Sequence, residues 1–564
     1  MSGTNKTFDV IVIGSGMSGG WAAKEFAEHG LKTLVLERGR DVRHLKDYPT
    51  TNMFPWEFEH RGQVPFETQQ ANPIASRCYI FKEDAMHFVV KDNVHPYTQE
   101  KPFDWIRGYQ VGGKSLLWAR QTQRWSDFDF EGPARDGYAV DWPIRYSDIA
   151  PWYSYVEKFA GIAGNHDGLP NLPDGEFLPA REMSCIEKYF QESVAKHYHD
   201  RHVIAARCAH LTTPLQIHLD QGRAQCQNRT LCQRGCPFGG YFSSNASTLP
   251  WAMKTGNLTI RPHSVVQSVI YDDSKGKVTG VRVMDDQTSE VLEFSARVIF
   301  VNAGAFNTNL MLLNSTSRRF PDGLANDHGI LGKYVAFHNY RARISATYEG
   351  LADSTSEGRS PTYAYLPRFR NLYKQETDFL RGYAVTFAGG RSRNVNTGGV
   401  GTDLKNQLAG RTLMPWHVSS QMMGETIPKK ASTLSLHPTK KDKWGVPELV
   451  VDIAYDDNDE KMIIDFFEQM TDMYTKAGFT GIKTVDSKQA PGLDIHEMGG
   501  CRMGHDPKTS MLNKWNQLHG CKNVFVTDGA AMSSTATQNP SLTYMALTAR
   551  AADYAIRQMK QGFL

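Results

Sequence analysis

The sequence predicts an α/β chain, α+β overall. It has a discontinuous Rossmann-like dinucleotide-binding domain and a second domain built on a mostly antiparallel sheet. Three observations predict this. The apolar run Val10-Ile11-Val12-Ile13 feeds into the turn Gly14-Ser15-Gly16-Met17-Ser18-Gly19. A helix-like stretch and a short apolar run then deliver Glu37. Strand patterns return far along the chain, around 258–301 and 524–527, as when one sheet is assembled from separated segments.

Each element has a physical reason. Gly14 permits the tight turn, Gly16 lets the backbone approach a pyrophosphate, and Gly19 lets the helix pack close to the sheet. The helix should run over 18–29 with Gly30 as its stop, its first N–H groups and its dipole facing a diphosphate. Glu37 stands about 20 residues beyond Gly16, where a carboxylate accepts hydrogen bonds from ribose hydroxyls. A second glycine cluster, Gly108 to Ser115, suggests backbone lying against a flat or anionic ligand. Trp118, Trp125, Trp142 and Trp152 follow, with helical periodicity after Asp148.

Segments 258–260, 265–271, 278–283 and 297–301 read as strands, the last leading through Asn302-Ala303-Gly304 into a helix over 308–313. Between 340 and 490 the alternating runs 340–348 and 449–454 mix with polar, Gly-rich stretches such as 389–402. They suggest a second, antiparallel sheet forming a substrate wall, followed by an amphipathic helix over 458–476.

Near the end, His496 precedes Gly499-Gly500, and a strand over 524–527 ends in Asp528-Gly529. Asn539-Pro540 opens a last helix running to about 559, with Pro at its first helical position. An imidazole titrates near working pH and suits a general base. An amide such as Asn539 can orient a hydroxyl and stabilise developing alkoxide charge.

These motifs, spread over nearly the whole chain, resemble those of the glucose–methanol–choline (GMC) flavoprotein oxidoreductases. The resemblance implies FAD as cofactor and His496 with Asn539 as the catalytic pair. It implies FAD contacts at Gly14, Gly16, Gly19, Glu37, Gly112, Gly113, Ser115, Val266, Asp528 and Gly529. Some members attach FAD through a histidine just before the loop tryptophan; here Leu117 precedes Trp118, so FAD is expected to be noncovalent. The FAD-binding domain would comprise 1–45, 105–125, 225–335 and 495–564. Residues 46–104, 126–224 and 336–494 would form the substrate domain and covering segments. The stretches 18–24 and 60–62 look most like catalytic subunits of glucoside 3-dehydrogenases, which implies oxidation of a sugar or glycoside hydroxyl, at C3 of glucosides, to a 3-keto sugar.

Cys226, Cys232 and Cys236 form a C-x5-C-x3-C-P loop, with Arg229 and Arg234 as candidate counter-charges. The four ligands in two close pairs of a zinc site are not present, and three thiolates suit a three-iron cluster. The loop is similar to that of bacterial sugar dehydrogenase subunits carrying a [3Fe–4S] cluster. The similarity implies a cytochrome c acceptor, a small chaperone-like partner subunit and a periplasmic or membrane-associated location through that partner. Without the partner the chain would be cytoplasmic, because Met1 to Lys6 does not read as a signal peptide. The alternatives are an O2-using oxidase of the same family without a cluster, an NAD enzyme, or a nucleotide-binding protein without chemistry. With 63 basic against 60 acidic residues, nothing favours nucleic acid, and no stretch reads as a transmembrane segment.

Overall fold

A computed structural model describes residues 7–355, 362–392, 399–409 and 413–564. The strand Thr7–Ile13 lies between Thr33–Leu36 and Val291–Val301, parallel to both. Leu258–Arg261 extends the parallel layer beyond Thr33–Leu36, and Val524–Val526 pairs parallel to Val291–Val301. Val10, Ile11 and Val12 are fully buried, as expected of a strand covered on both faces. The long strand Val291–Val301 serves two purposes. Its first half pairs antiparallel with Lys277–Asp285, which pairs in turn with Ser264–Asp272, and its second half joins the parallel layer.

Ile13 is in register with Leu36 and Val301, and Val301 with Val526. Four strand ends therefore share one edge. The turns leaving it, at Gly14, Glu37, Asn302 and Asp528, line one cavity, the position at which open α/β sheets bind ligands. The opening helix Met17–Glu28 is buried along most of its length, between this sheet and the last helix, Ser541–Lys560. That last helix begins one residue later than the sequence predicts. Pro540 is its cap rather than its first helical residue.

A second sheet is antiparallel throughout. Thr480–Asp486, Ala342–Tyr348, Trp416–Glu425, Tyr383–Gly390, Ala364–Leu366 and Ile204–Ala205 follow one another across it. Alternation divides its faces. Ile344, Ala346, Val385, Phe387, Val418 and Met422 pack beneath the helices Asp457–Lys476 and Cys185–His197. On the other face Arg343, Ser345, Thr386, Ser419, Gln421 and Lys483 line the cavity. The predicted strand 340–348 belongs here, whereas part of the Gly-rich stretch 389–402 lies outside the described residues.

The predicted strand 449–454 does not join that sheet. It appears as Pro447–Asp452 in a separate five-stranded sheet with Thr433–Lys441, Lys333–Ala336, Met498–Gly500 and Thr98–Gln99. This smaller sheet pairs Lys333 with Gly500 and Ala336 with Met498. Just beyond it the short strand His338–Asn339 pairs with Trp416–Glu425 of the larger sheet. Among the described residues, no helix is long and apolar enough to cross a membrane.

Candidate active site

The cavity encloses about 1370 Å³ and runs from the nucleotide turn to the polar sheet face. A single-ligand pocket spans roughly 300–1,000 Å³, so this one has room for a dinucleotide and a substrate together. At one end, Gly14 (φ +93°) turns the chain where a side chain would strike the Asn302 carbonyl. A Cβ on Gly19 would lie 1.9 Å from Gly14 O, so Gly19 permits the close helix contact expected of it. Gly16 differs. The nearest atom to its absent Cβ is Gly112 O at 3.9 Å, and the space is the cavity itself. Gly16 caps the opening helix with no side-chain bond and no acid in the first turn, leaving N–H donors for an anion.

Glu37 is buried and accepts from Ser15 Oγ at 2.6 Å, Ser15 N at 3.2 Å and Gly39 N at 3.0 Å. This ties the carboxylate to the glycine turn and leaves Oε1 with a lone pair. Asp528 is more fully engaged. It accepts from Gly304 N, Thr308 Oγ1 and Ala530 N, at 2.8, 2.6 and 2.9 Å, and burial lifts its carboxyl to about 6. Gly113, Ser115, Val266 and Gly529 line the cavity, whereas Gly112 supports it from behind, its would-be Cβ falling on Asn245 Oδ1. The Ser115 hydroxyl donates to Gly112 O and accepts from Ser244 N, which fixes the loop.

At the junction with the polar sheet, His496 Nε2 lies 3.2 Å from Asn539 Nδ2, and both residues line the cavity. Burial drives the His496 imidazole well below its ordinary range, and the Lys114 charge pushes it the same way. It is therefore neutral and able to accept a proton. Asn539 is held in place by its neighbour Gln538, whose amide donates to buried Asp129 at 3.0 Å. Ile495, a β-branched residue at φ +63°, presents His496; such strain, of order 1–3 kcal/mol, gathers at functional sites.

Three further participants were not assigned a role from the sequence, although Lys114 lies within the second glycine cluster. His338 Nδ1 lies 2.8 Å from His496 Nδ1. Asp494 Oδ2 accepts the backbone N–H of both histidines, at 2.9 and 3.3 Å, and burial raises its carboxyl to about 7. Lys114 pairs with Glu497 at 2.8 Å. Contacts distant in sequence bring His338 to this site: His338–Asn339 pairs with Trp416–Glu425, and the His338 main chain donates to Asp494.

Buried polar atoms without hydrogen-bond partners border the cavity: Asn302 Nδ2, Asp494 Oδ1, Glu497 Oε1 and the Tyr544 hydroxyl. Buried polar groups are normally paired, so this set fits a polar ligand lying against it. A dinucleotide cradle opening onto a neutral imidazole, an amide and a polar wall defines a class, the oxidoreductases acting on CH–OH groups.

Sequence comparison makes the class specific. The GMC oxidoreductase profiles match residues 18–338 and 428–548, and the chain belongs to that family, whose cofactor is FAD. It is 27% identical to 2-methyl-1,2-propanediol dehydrogenase of Mycolicibacterium austroafricanum, over 98% of this chain and 95% of that one. It is 26% identical to the fructose dehydrogenase large subunit of Gluconobacter japonicus, with 100% of both chains covered. Formate oxidase from Aspergillus oryzae shares the fold at a TM-score of 0.61 and 14% identity, covering 99% of this chain and 100% of that one. The cradle fits FAD: Gly16 would leave room for the diphosphate, Glu37 would accept from a ribose, and unpartnered polar atoms of Asn302, Asp494, Glu497 and Tyr544 border the same cavity.

The cysteine loop lies beside this cavity, which Gln233 helps to line. Cys226, Cys232 and Cys236 are free and half-buried, and Cys232 is within electrostatic reach of the other two. Among the described residues the three sulfurs do not converge tightly enough to share one ion. Arg229 and Arg234 are not their counter-charges. Arg234 pairs with Asp84 at 2.8 Å, and Arg229 donates to Thr51 O. Arg120 and Arg181 act on Cys232 instead, pulling down a thiol that burial raises. Burial lowers the Arg223 guanidinium to about 9, with Cys236 acting against it.

Proposed function

We propose that this protein is an FAD-dependent sugar dehydrogenase that oxidises a ring hydroxyl of a sugar or glycoside, at C3 of glucosides, to the keto sugar. One observation carries the reading. The His496–Asn539 pair stands where the nucleotide cradle meets a sheet face of Arg343, Ser345, Gln421 and Lys483, a wall rich in hydrogen-bonding groups. When bound, FAD supplies the hydride acceptor. The chain supplies the rest. His496 Nε2 takes the hydroxyl proton, Asn539 Nδ2 steadies the oxygen as its charge grows, and the polar face orients the ring. Gly14 and Gly16 seat the diphosphate, and Leu117, which lines the cavity, offers no atom for a covalent link to the flavin. The resemblance to glucoside 3-dehydrogenase subunits supports the choice of C3. Anaerobic mixing with methyl glucosides should bleach the flavin and yield 3-keto products. A flavin unmoved by every sugar tried refutes the reading.

The cysteine loop would hold a [3Fe–4S] cluster through Cys226, Cys232 and Cys236, each thiolate on its own iron. Such a cluster supplies one-electron transfer to an acceptor protein of cytochrome type. The surroundings support it. Arg120 is buried with Nε and Nη1 unpartnered, Arg223 is buried with Nη2 unpartnered, and both carry positive charge near these sulfurs. Buried positive charge requires a compensating anion, which thiolates and sulfides provide. Cys232→Ser should lower iron content and impair reduction of a cytochrome acceptor while leaving flavin reduction by sugar intact. Unchanged iron in that variant removes the cluster. We place the protein at the periplasmic face, carried there with a small partner subunit.

Asp494 gives the reaction a pH dependence. Its carboxyl, raised to about 7, is neutral below that pH and anionic above it. The anion lies beside the His496 main chain and favours the imidazolium that forms when the base takes a proton. The rate of flavin reduction should therefore rise as pH passes about 7. Asp494→Asn should hold it near the low-pH level throughout, and a step that survives in this variant assigns the titration elsewhere.

A further inference from the structure

We propose that His338 is a positioning residue that sets the tautomer of His496. This rests on His496 being the base. The hydrogen-bond partners fix where each proton sits. His338 Nε2 faces two main-chain carbonyls, Ala536 O at 3.1 Å and Thr535 O at 3.3 Å. A carbonyl oxygen only accepts, so Nε2 must carry the proton. His338 is buried, and burial holds it to about 4, so the ring has that one proton. Its Nδ1 is then a bare lone pair.

That lone pair lies 2.8 Å from His496 Nδ1, with the two rings near perpendicular at 87°. The bond requires a proton on His496 Nδ1, because two lone pairs at this distance repel. His496 is neutral as well, so its Nε2 is left unprotonated. Nε2 is the nitrogen next to Asn539 Nδ2, which can donate to it. The carbonyls of residues 535 and 536 thus determine, through His338, which nitrogen of His496 receives the substrate proton. The same acceptor steadies the Nδ1–H as the ring becomes an imidazolium.

The backbone is shaped for this contact. Ala536 adopts φ +54°, a left-handed conformation uncommon outside glycine, and its carbonyl is the nearer acceptor. The charged or titratable groups around the pair include Asp494, Glu497, Lys114, Tyr340, Tyr455 and Tyr544, and the backbone N–H groups of both histidines bond Asp494.

Asparagine and glutamine at 338 test the assignment, because the asparagine amide can place its oxygen at the Nδ1 position and the glutamine amide only at the Nε2 position. His338→Asn should retain flavin reduction to within a few-fold of the parent. His338→Gln and His338→Leu should slow it about 10-fold or more, with the substrate concentration at half-saturation nearly unchanged and the low-pH limb displaced. Flavin content and thermal unfolding of the purified holoenzymes show whether each variant is folded. If His338→Leu does not retain flavin, the Asn–Gln comparison decides. Equal rates for these two overturn the proposal. Failure of the base reading is seen separately, as full-rate reduction in His496→Ala, so slow His496→Ala with indifferent His338 variants defeats the positioning role alone.

Discussion

His496→Ala should retain FAD and slow anaerobic flavin reduction by at least ~10²-fold, the usual loss when a general base is removed. The cofactor should stay because its cradle is built from the sheet edge, the Gly14–Gly19 turn and Glu37, none of which leans on this imidazole. The rate should fall because the groups nearest the lost imidazole do not take its place: Asp494 spends Oδ2 on the main chain of residues 338 and 496. Asn539 can donate a hydrogen bond but does not ionise, and Lys114 is already paired with Glu497. His338 has its lone pair directed at the lost ring rather than at substrate. Rapid mixing with sugar, following the flavin absorbance, measures the effect. Reduction within a few-fold of the parent rules His496 out as the base.

Gly16→Val should give a folded protein without flavin. At φ −69° the backbone already suits an L-residue, and a Cβ there meets nothing closer than Gly112 O at 3.9 Å. The added side chain therefore occupies only the room left for the diphosphate. The contrast with Gly19→Ala is instructive. There the Cβ would fall 1.9 Å from a backbone oxygen, so helix and strand must part and the fold itself suffers. The flavin-to-protein absorbance ratio should drop to near zero in Gly16→Val, while apo forms of parent and variant melt alike. The holo parent should melt higher, since a bound ligand stabilises the native state by mass action. A variant that keeps stoichiometric flavin shows that the diphosphate lies elsewhere.

Much of the nucleotide half was legible in the sequence, because its determinants are local. A parallel strand buried on both faces reads as a continuous apolar run, and each glycine of the turn answers to a constraint within a few residues of it. The strands of 258–301 were equally plain. The longer Val291–Val301 combines a hairpin arm with a parallel strand, and the sequence pattern marks only its end. The substrate half was less legible. Strands 342–348 and 447–452 show the same alternation, yet join different sheets, since alternation reports burial and not the partner. The positive charges near the cysteines came from outside the loop, at Arg120, Arg181 and Arg223, while the two arginines inside it turned to neighbouring segments. His338 carried no motif, and its place beside His496 rests on partners far along the chain, at Glu425, Asp494, Thr535 and Ala536.

The histidine pair and its carbonyl anchor are assembled from three distant stretches, at 338, at 496 and at the carbonyls of 535 and 536. A nascent chain still on the ribosome could form the nucleotide turn and the first strand pairing long before the last of these emerges. Its imidazole would lack the tautomeric lock until nearly the whole polypeptide had been made. A chain ending before residue 535 would lack both this lock and Asn539, and would be a poor catalyst.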